Sequence, residues 1–104
     1  MRKCEQMEIN RLCVEMYGDL RNCMVWHDRI KIGRLRSCTA EVYETEGYYY
    51  LVSYDTVVAC ISKYNSICYD FLRYVYGYTA TSAMHIAKFC RDYHATNKLT
   101  YYPV

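Results

Sequence analysis

A chain of 104 residues, 53% apolar and 23% charged, with one proline and four glycines, has the composition of one folded domain; it excludes a disordered or collagen-like polymer. Thirteen basic and eleven acidic residues leave a formal charge of +2, without the basic excess of a general nucleic-acid binder. There is no run of about 18 uncharged apolar residues to span a membrane, and Met1-Arg2-Lys3-Cys4-Glu5 leads into further charges rather than an apolar signal core, so a cytoplasmic protein is expected.

Residues 1–27 read as helical. Ile9, Leu12, Cys13, Met16, Leu20, Cys23 and Met24 follow spacings of three and four, with Glu5, Glu8, Arg11 and Glu15 on the other side. Gly18 interrupts the run, which leaves one helix or two shorter ones. Residues 28–78 read as strands. Asp28 to Arg36 alternates polar and apolar, and the phase flips at Gly33, as at a turn or bulge. Ala40 to Glu44 is a short strand, broken by Gly47. Tyr48 to Ile61 is a long one, bent near Asp55. Lys63-Tyr64-Asn65-Ser66 is a turn, and Ile67 to Tyr76 returns antiparallel. A second helix spans 79–94. Thr79 is placed to cap it, and Ile86, Phe89, Cys90 and Tyr93 form its buried stripe. The tail, 95–104, is a loop or a short edge strand. The expected fold is one α+β domain over 1–104: an antiparallel sheet of three to five strands, with an N-terminal and a C-terminal helix on one face.

Ser53-Tyr54-Asp55-Thr56-Val57-Val58-Ala59 and Tyr76-Gly77-Tyr78-Thr79-Ala80-Thr81-Ser82-Ala83-Met84-His85-Ile86-Ala87-Lys88-Phe89 carry a resemblance. The pattern resembles a family of small proteins of phages and mobile elements, roughly Ser-Tyr-x-Thr-x-Val-Ala, a hairpin, then Tyr-Ser-x-Thr-Thr-x-x-His-Ile-x-x-Phe. This chain has Thr79-Ala80-Thr81-Ser82 in place of Ser-x-Thr-Thr. Its connection over 60–75 is longer and bears cysteines. The family has no common assigned reaction. The resemblance implies a phage or prophage origin and the cytoplasm of the bacterial host. Small phage proteins without enzyme motifs are often inhibitors of host defence, including anti-CRISPR proteins.

Four constellations bear on chemistry. Cys23-x-x-x-His27 and Cys90-x-x-x-His94 each place a thiol and an imidazole on one face of a helix. If the two helix ends meet, Cys23, His27, Cys90 and His94 could close around one structural zinc ion; otherwise the cysteines are core thiols and the histidines surface residues. The seven cysteines include no Cys-x-x-Cys pair, and free thiols are expected in a reducing compartment. His85 reads as a structural residue bonded to backbone or to a hydroxyl of the Ser53-Tyr54 strand. Thr56 and Thr79 to Ser82 gather hydroxyls at a helix N-terminus, where capping is the default. No catalytic set of carboxylates, and no cysteine with a base and an orienting acid, is evident.

The interaction signal is the stripe Arg29, Lys31, Arg34 and Arg36. Without it the chain has nine basic and eleven acidic residues. Trp26 lies beside it. Of the 14 tyrosines, all but Tyr17 lie after residue 42, with Tyr48, Tyr49 and Tyr50 consecutive. Aromatics and arginine dominate interface energetics, so these eight residues are the expected partner contacts. The alternative is an edge strand charged against aggregation. The expectation is a non-enzymatic binding protein that blocks a host defence protein, a Cas9-type effector, by steric occupation. A small nucleic-acid-binding regulator using 29–36 is the second choice, and a membrane partner is not expected.

Overall fold

Strand β3 (Tyr48–Ser53) decides the layering. Successive side chains of a strand point to opposite faces, and here both sets are apolar or aromatic: Tyr48 and Tyr50 on one face, Tyr49 and Leu51 on the other. A sheet built around such a strand needs a cover on each side.

A computed structural model describes residues 3–22, 30–34, 40–53 and 56–103, with side chains described for 5–19, 40–53 and 56–103. The order is α1 (Lys3–Asn22), β1 (Ile30–Arg34), β2 (Glu41–Glu44), β3 (Tyr48–Ser53), β4 (Thr56–Ser62), β5 (Ile67–Asp70), α2 (Leu72–Val75), α3 (Ala80–Asp92) and β6 (Asn97–Thr100). The sheet runs β1-β2-β3-β4-β5-β6. β1 to β5 form an antiparallel meander, and β6 pairs parallel to β5 after a crossover through α2 and α3.

The fold is α+β as expected, with a helix near each end, but the described sheet has six strands rather than three to five and is mixed, because the crossover through α2 and α3 returns β6 parallel to β5. The helices lie on opposite faces, however, not on one. Ile86 and Phe89 of α3 pack with Val42, Leu51, Val58, Ala59, Ile61 and Cys68. On the other face, Cys13 of α1 joins Tyr50, Cys60 and Phe71, with Ile9, Met16 and Tyr17 packed around them. The result is three layers, helix on sheet on helix.

Local details follow from the sequence. α1 passes through Gly18 as one helix, and Arg11 on its outer side bridges Glu8 and Glu15. The pairing of β1 with β2 shifts between Lys31 and Gly33, the irregularity expected at this glycine. The expected long strand over 48–61 is instead a hairpin in which Ser53 pairs with Thr56. Leu51 pairs with Ala59 and Val52 with Val57, so Val58 is a bulged extra residue. That is how consecutive Val58 and Ala59 enter the same cluster. The expected return strand over 67–76 stops at Asp70, whose Oδ1 accepts from the Leu72 N–H at 3.0 Å and starts α2. The tail supplies an edge strand, β6.

Both ends of α3 are closed. The Thr79 hydroxyl accepts from the Ser82 N–H at 3.1 Å. At the other end the Ala95 N–H bonds the Cys90 carbonyl at 2.9 Å and the His94 N–H bonds the Arg91 carbonyl at 3.4 Å. His94 sits at φ 58°. These are the two bonds and the left-handed residue of a Schellman cap, a position that favours glycine. His94→Gly should therefore raise stability by about 1 kcal/mol, and Phe89→Ala should lower it by about 3–5 kcal/mol. Urea denaturation of the two variants reads both.

Candidate functional site

Three groups of side chains merit a chemical reading. The first lies under the start of α3. Ser53 Oγ of β3 is 3.1 Å from Ser82 Oγ and 3.2 Å from His85 Nδ1. All three residues are buried. A serine beside a histidine is half of a hydrolytic site, but nucleophilic catalysis needs substrate at the oxygen. Here Ser53 is enclosed by the sheet and α3. The contact fixes α3 to β3, the structural role read for His85 from the sequence. Burial, and then the charge of Lys88, hold the His85 imidazole below its usual range.

The second group contains the described half of the expected zinc set. Cys90 and His94 do not share a helix face, because α3 ends at Asp92 and His94 turns into the left-handed region, exposed. Their expected spacing assumed an unbroken helix. The Cys90 sulfur instead meets that of Cys68. Cys23 and His27 lie outside the described residues. Among the described residues no three His, Cys, Asp or Glu side chains are placed to hold a metal ion.

The expected contact surface is divided. Trp26, Arg29 and Arg36 lie outside the described residues, and so do the side chains of Lys31 and Arg34, whose backbone forms β1. Tyr48 and Tyr49 are half-buried on opposite faces. Tyr48 stacks on Tyr50 at 5.9 Å between ring centroids. Tyr49 packs on Tyr93 at 4.8 Å, with Lys63 over its ring. Tyr50 is 0% exposed and belongs to the α1-side core. It is not a surface contact, because strand alternation turns it inward beneath α1.

The third group was not singled out from the sequence. It is an exposed aromatic surface built by α2, the segment after it, and the residues following β6. Tyr74, Tyr76, Tyr78 and Tyr102 are 44%, 43%, 56% and 46% exposed. Phe71 anchors the surface in the core and takes Tyr17 edge-on at 5.6 Å. Tyr74 bridges outward, 5.8 Å from Tyr17 and 5.2 Å from Tyr101. The Arg73 guanidinium lies 4.6 Å from the Tyr78 ring centroid and 4.4 Å from that of Tyr102. It thus holds two rings that are far apart in sequence.

A groove of about 350 Å³ continues this surface onto α1, lined by Met7, Asn10, Arg11, Val14, Glu15 and Tyr101. Its far wall is strapped in place. Gln6 Nε2 donates to the Thr100 carbonyl at 2.9 Å, Asn10 Nδ2 to the Tyr102 carbonyl at 2.6 Å, and the Tyr102 N–H to Asn10 Oδ1 at 3.0 Å. Chemically the surface offers large apolar area, phenolic hydroxyls and one stacked cation. That is equipment for binding, at low entropic cost because tyrosine has few rotamers.

No family model matches the chain, and no curated protein or solved structure matches it at a significant level. Among the described residues no helix is long and apolar enough to cross a membrane.

The His85 site gives a pH prediction. Its folded-state pKa is depressed, so the unfolded chain takes up the proton first. The contribution is complete above the unfolded value of about 6.5 and is lost as pH falls below it toward the folded value. Urea midpoints should therefore decline between about pH 7 and pH 5, and His85→Asn should flatten that decline. A wild-type midpoint that stays level across the range would contradict it.

Proposed function

We propose that this chain is a non-catalytic binding protein that acts by covering part of the surface of a larger protein. The exposed Tyr74, Tyr76, Tyr78 and Tyr102 surface, with Arg73 stacked inside it, carries the reading. Tyrosine and arginine are the residues on which interface energy concentrates. Arg73 also holds Tyr78 and Tyr102 in position before any partner arrives, which reduces the ordering cost of association.

The narrower proposal is that the partner is a host defence effector of the Cas9 type and that the protein comes from a phage or mobile element. It rests on the sequence resemblance over residues 53–89. The charge then selects a mode of action. Nucleic-acid channels of such effectors are positive, and an acidic mimic would compete for them. A chain of net charge +2 is not such a mimic. Blocking would be steric, on a less basic surface such as the recognition lobe.

Binding and DNA cleavage assays with purified bacterial Cas9–guide complexes test the narrower reading. Inhibition is expected at stoichiometric protein. Tyr78→Ala and Tyr102→Ala should each weaken the complex by about tenfold to thirtyfold while leaving the urea midpoint nearly unchanged. Tight binding that ignores both substitutions would remove this surface from the interface. A salt-sensitive mobility shift with DNA, and no protein complex, would favour a nucleic-acid-binding regulator instead.

A further inference from the structure

The parallel crossover brings two cysteines together on the α3 side of the sheet. Cys68 of β5 is fully buried in the core cluster there, and half-buried Cys90 of α3 packs against that cluster. Within that cluster the two sulfurs lie in reach of one another. Lys98 of β6 is the direct pairing partner of Cys68. Its side chain therefore leaves the sheet on the same face as that of Cys68.

The two thiols are unequal. The hydrogen bond to Cys90 and burial push the Cys68 thiol up. The Cys90 thiol is drawn below its ordinary range, first by that hydrogen bond and then by the Lys98 charge, against burial and Asp70. Cys13, on the α1 side, differs: burial lifts its thiol to about 12, and its Sγ faces the Leu99 carbonyl. Cys60 is buried and raised for the same reason. A partly buried cysteine with a second, fully buried one beside it is the arrangement of a redox-sensing pair.

We propose that Cys68 and Cys90 are a thiol oxidation site that closes to a disulfide between β5 and α3 on reaction with a hydroperoxide. The Cys90 thiolate attacks one peroxide oxygen and the O–O bond breaks, giving a sulfenic acid and hydroxide. The Cys68 sulfur then attacks the Cys90 sulfur, the S–O bond breaks, and water leaves with the Cys68 proton. Two thiols lose two electrons and two protons, and hydrogen peroxide takes them up to become two waters. The disulfide fastens α3 to the sheet and shortens the loop from 68 to 90 in the unfolded chain, so the oxidised protein is the more stable form.

The test uses the full reduced chain, one equivalent of hydrogen peroxide, alkylation of the remaining thiols and peptide mapping by mass spectrometry. The expected result is a linked Cys68–Cys90 peptide and a raised Tm, both reversed by dithiothreitol. Cys90→Ser should abolish the linked peptide. Cys68→Ala should abolish it too and leave Cys90 as a sulfenic acid trapped by dimedone. Wild-type protein in which both thiols still alkylate after peroxide overturns the proposal, and so does a Cys90 linked elsewhere with Cys68 free. The wild-type map decides even if a variant fails to fold.

Discussion

The constraint on which this structure rests is that its central hairpin has no polar face. Tyr50 and Cys60 point one way, Leu51, Ala59 and Ile61 the other, and all five are buried. Each fully buried side chain of this kind contributes about 1.5–3 kcal/mol through removal from water. Neither set can be left wet. α1 and α3 must therefore take opposite sides, and the chain must cross from one side to the other between β5 and β6. The parallel pairing of β6, the short α2 and the outward turn of residues 73–78 all belong to that crossover.

The elements themselves were largely legible. Apolar spacing marked both helices, Thr79 marked a start, and Gly33 marked an irregular strand. What misled was the apolar run over 48–61. A continuous run does not show where a strand reverses, and the reversal falls after Ser53. The same run hid the layering. Tyrosine reads as a half-polar residue, so Tyr48 to Tyr50 suggests one outer surface, whereas period-two alternation divides them between the two faces and buries Tyr50. Cys90 and His94 do not share a helix face for a local reason: α3 ends at Asp92, and His94 lies two residues beyond it with positive φ.

The exposed aromatic surface was not legible for a different reason. Its members come from residues 73–78, from 101–102 and from α1. No local pattern joins them. They meet because β6 lies parallel beside β5 and delivers the following residues next to α2. The one available signal was the alternation Tyr74-Val75-Tyr76-Gly77-Tyr78, too many aromatics for a stretch that a glycine prevents from continuing as a strand. Binding surfaces formed by crossover connections are properties of topology, and the sequence shows their ingredients without their assembly.

The lacing of α1 onto the end of the chain has an implication for biosynthesis. Gln6, Asn10 and Cys13 find their partners at Thr100, Tyr102 and Leu99. During synthesis α1 thus waits for residues 99–102 before those bonds can form. Until then, one side of the nascent meander, with Tyr50 and Cys60 on it, stays uncovered. That side closes only once residues 99–102 are in place to hold α1 against it.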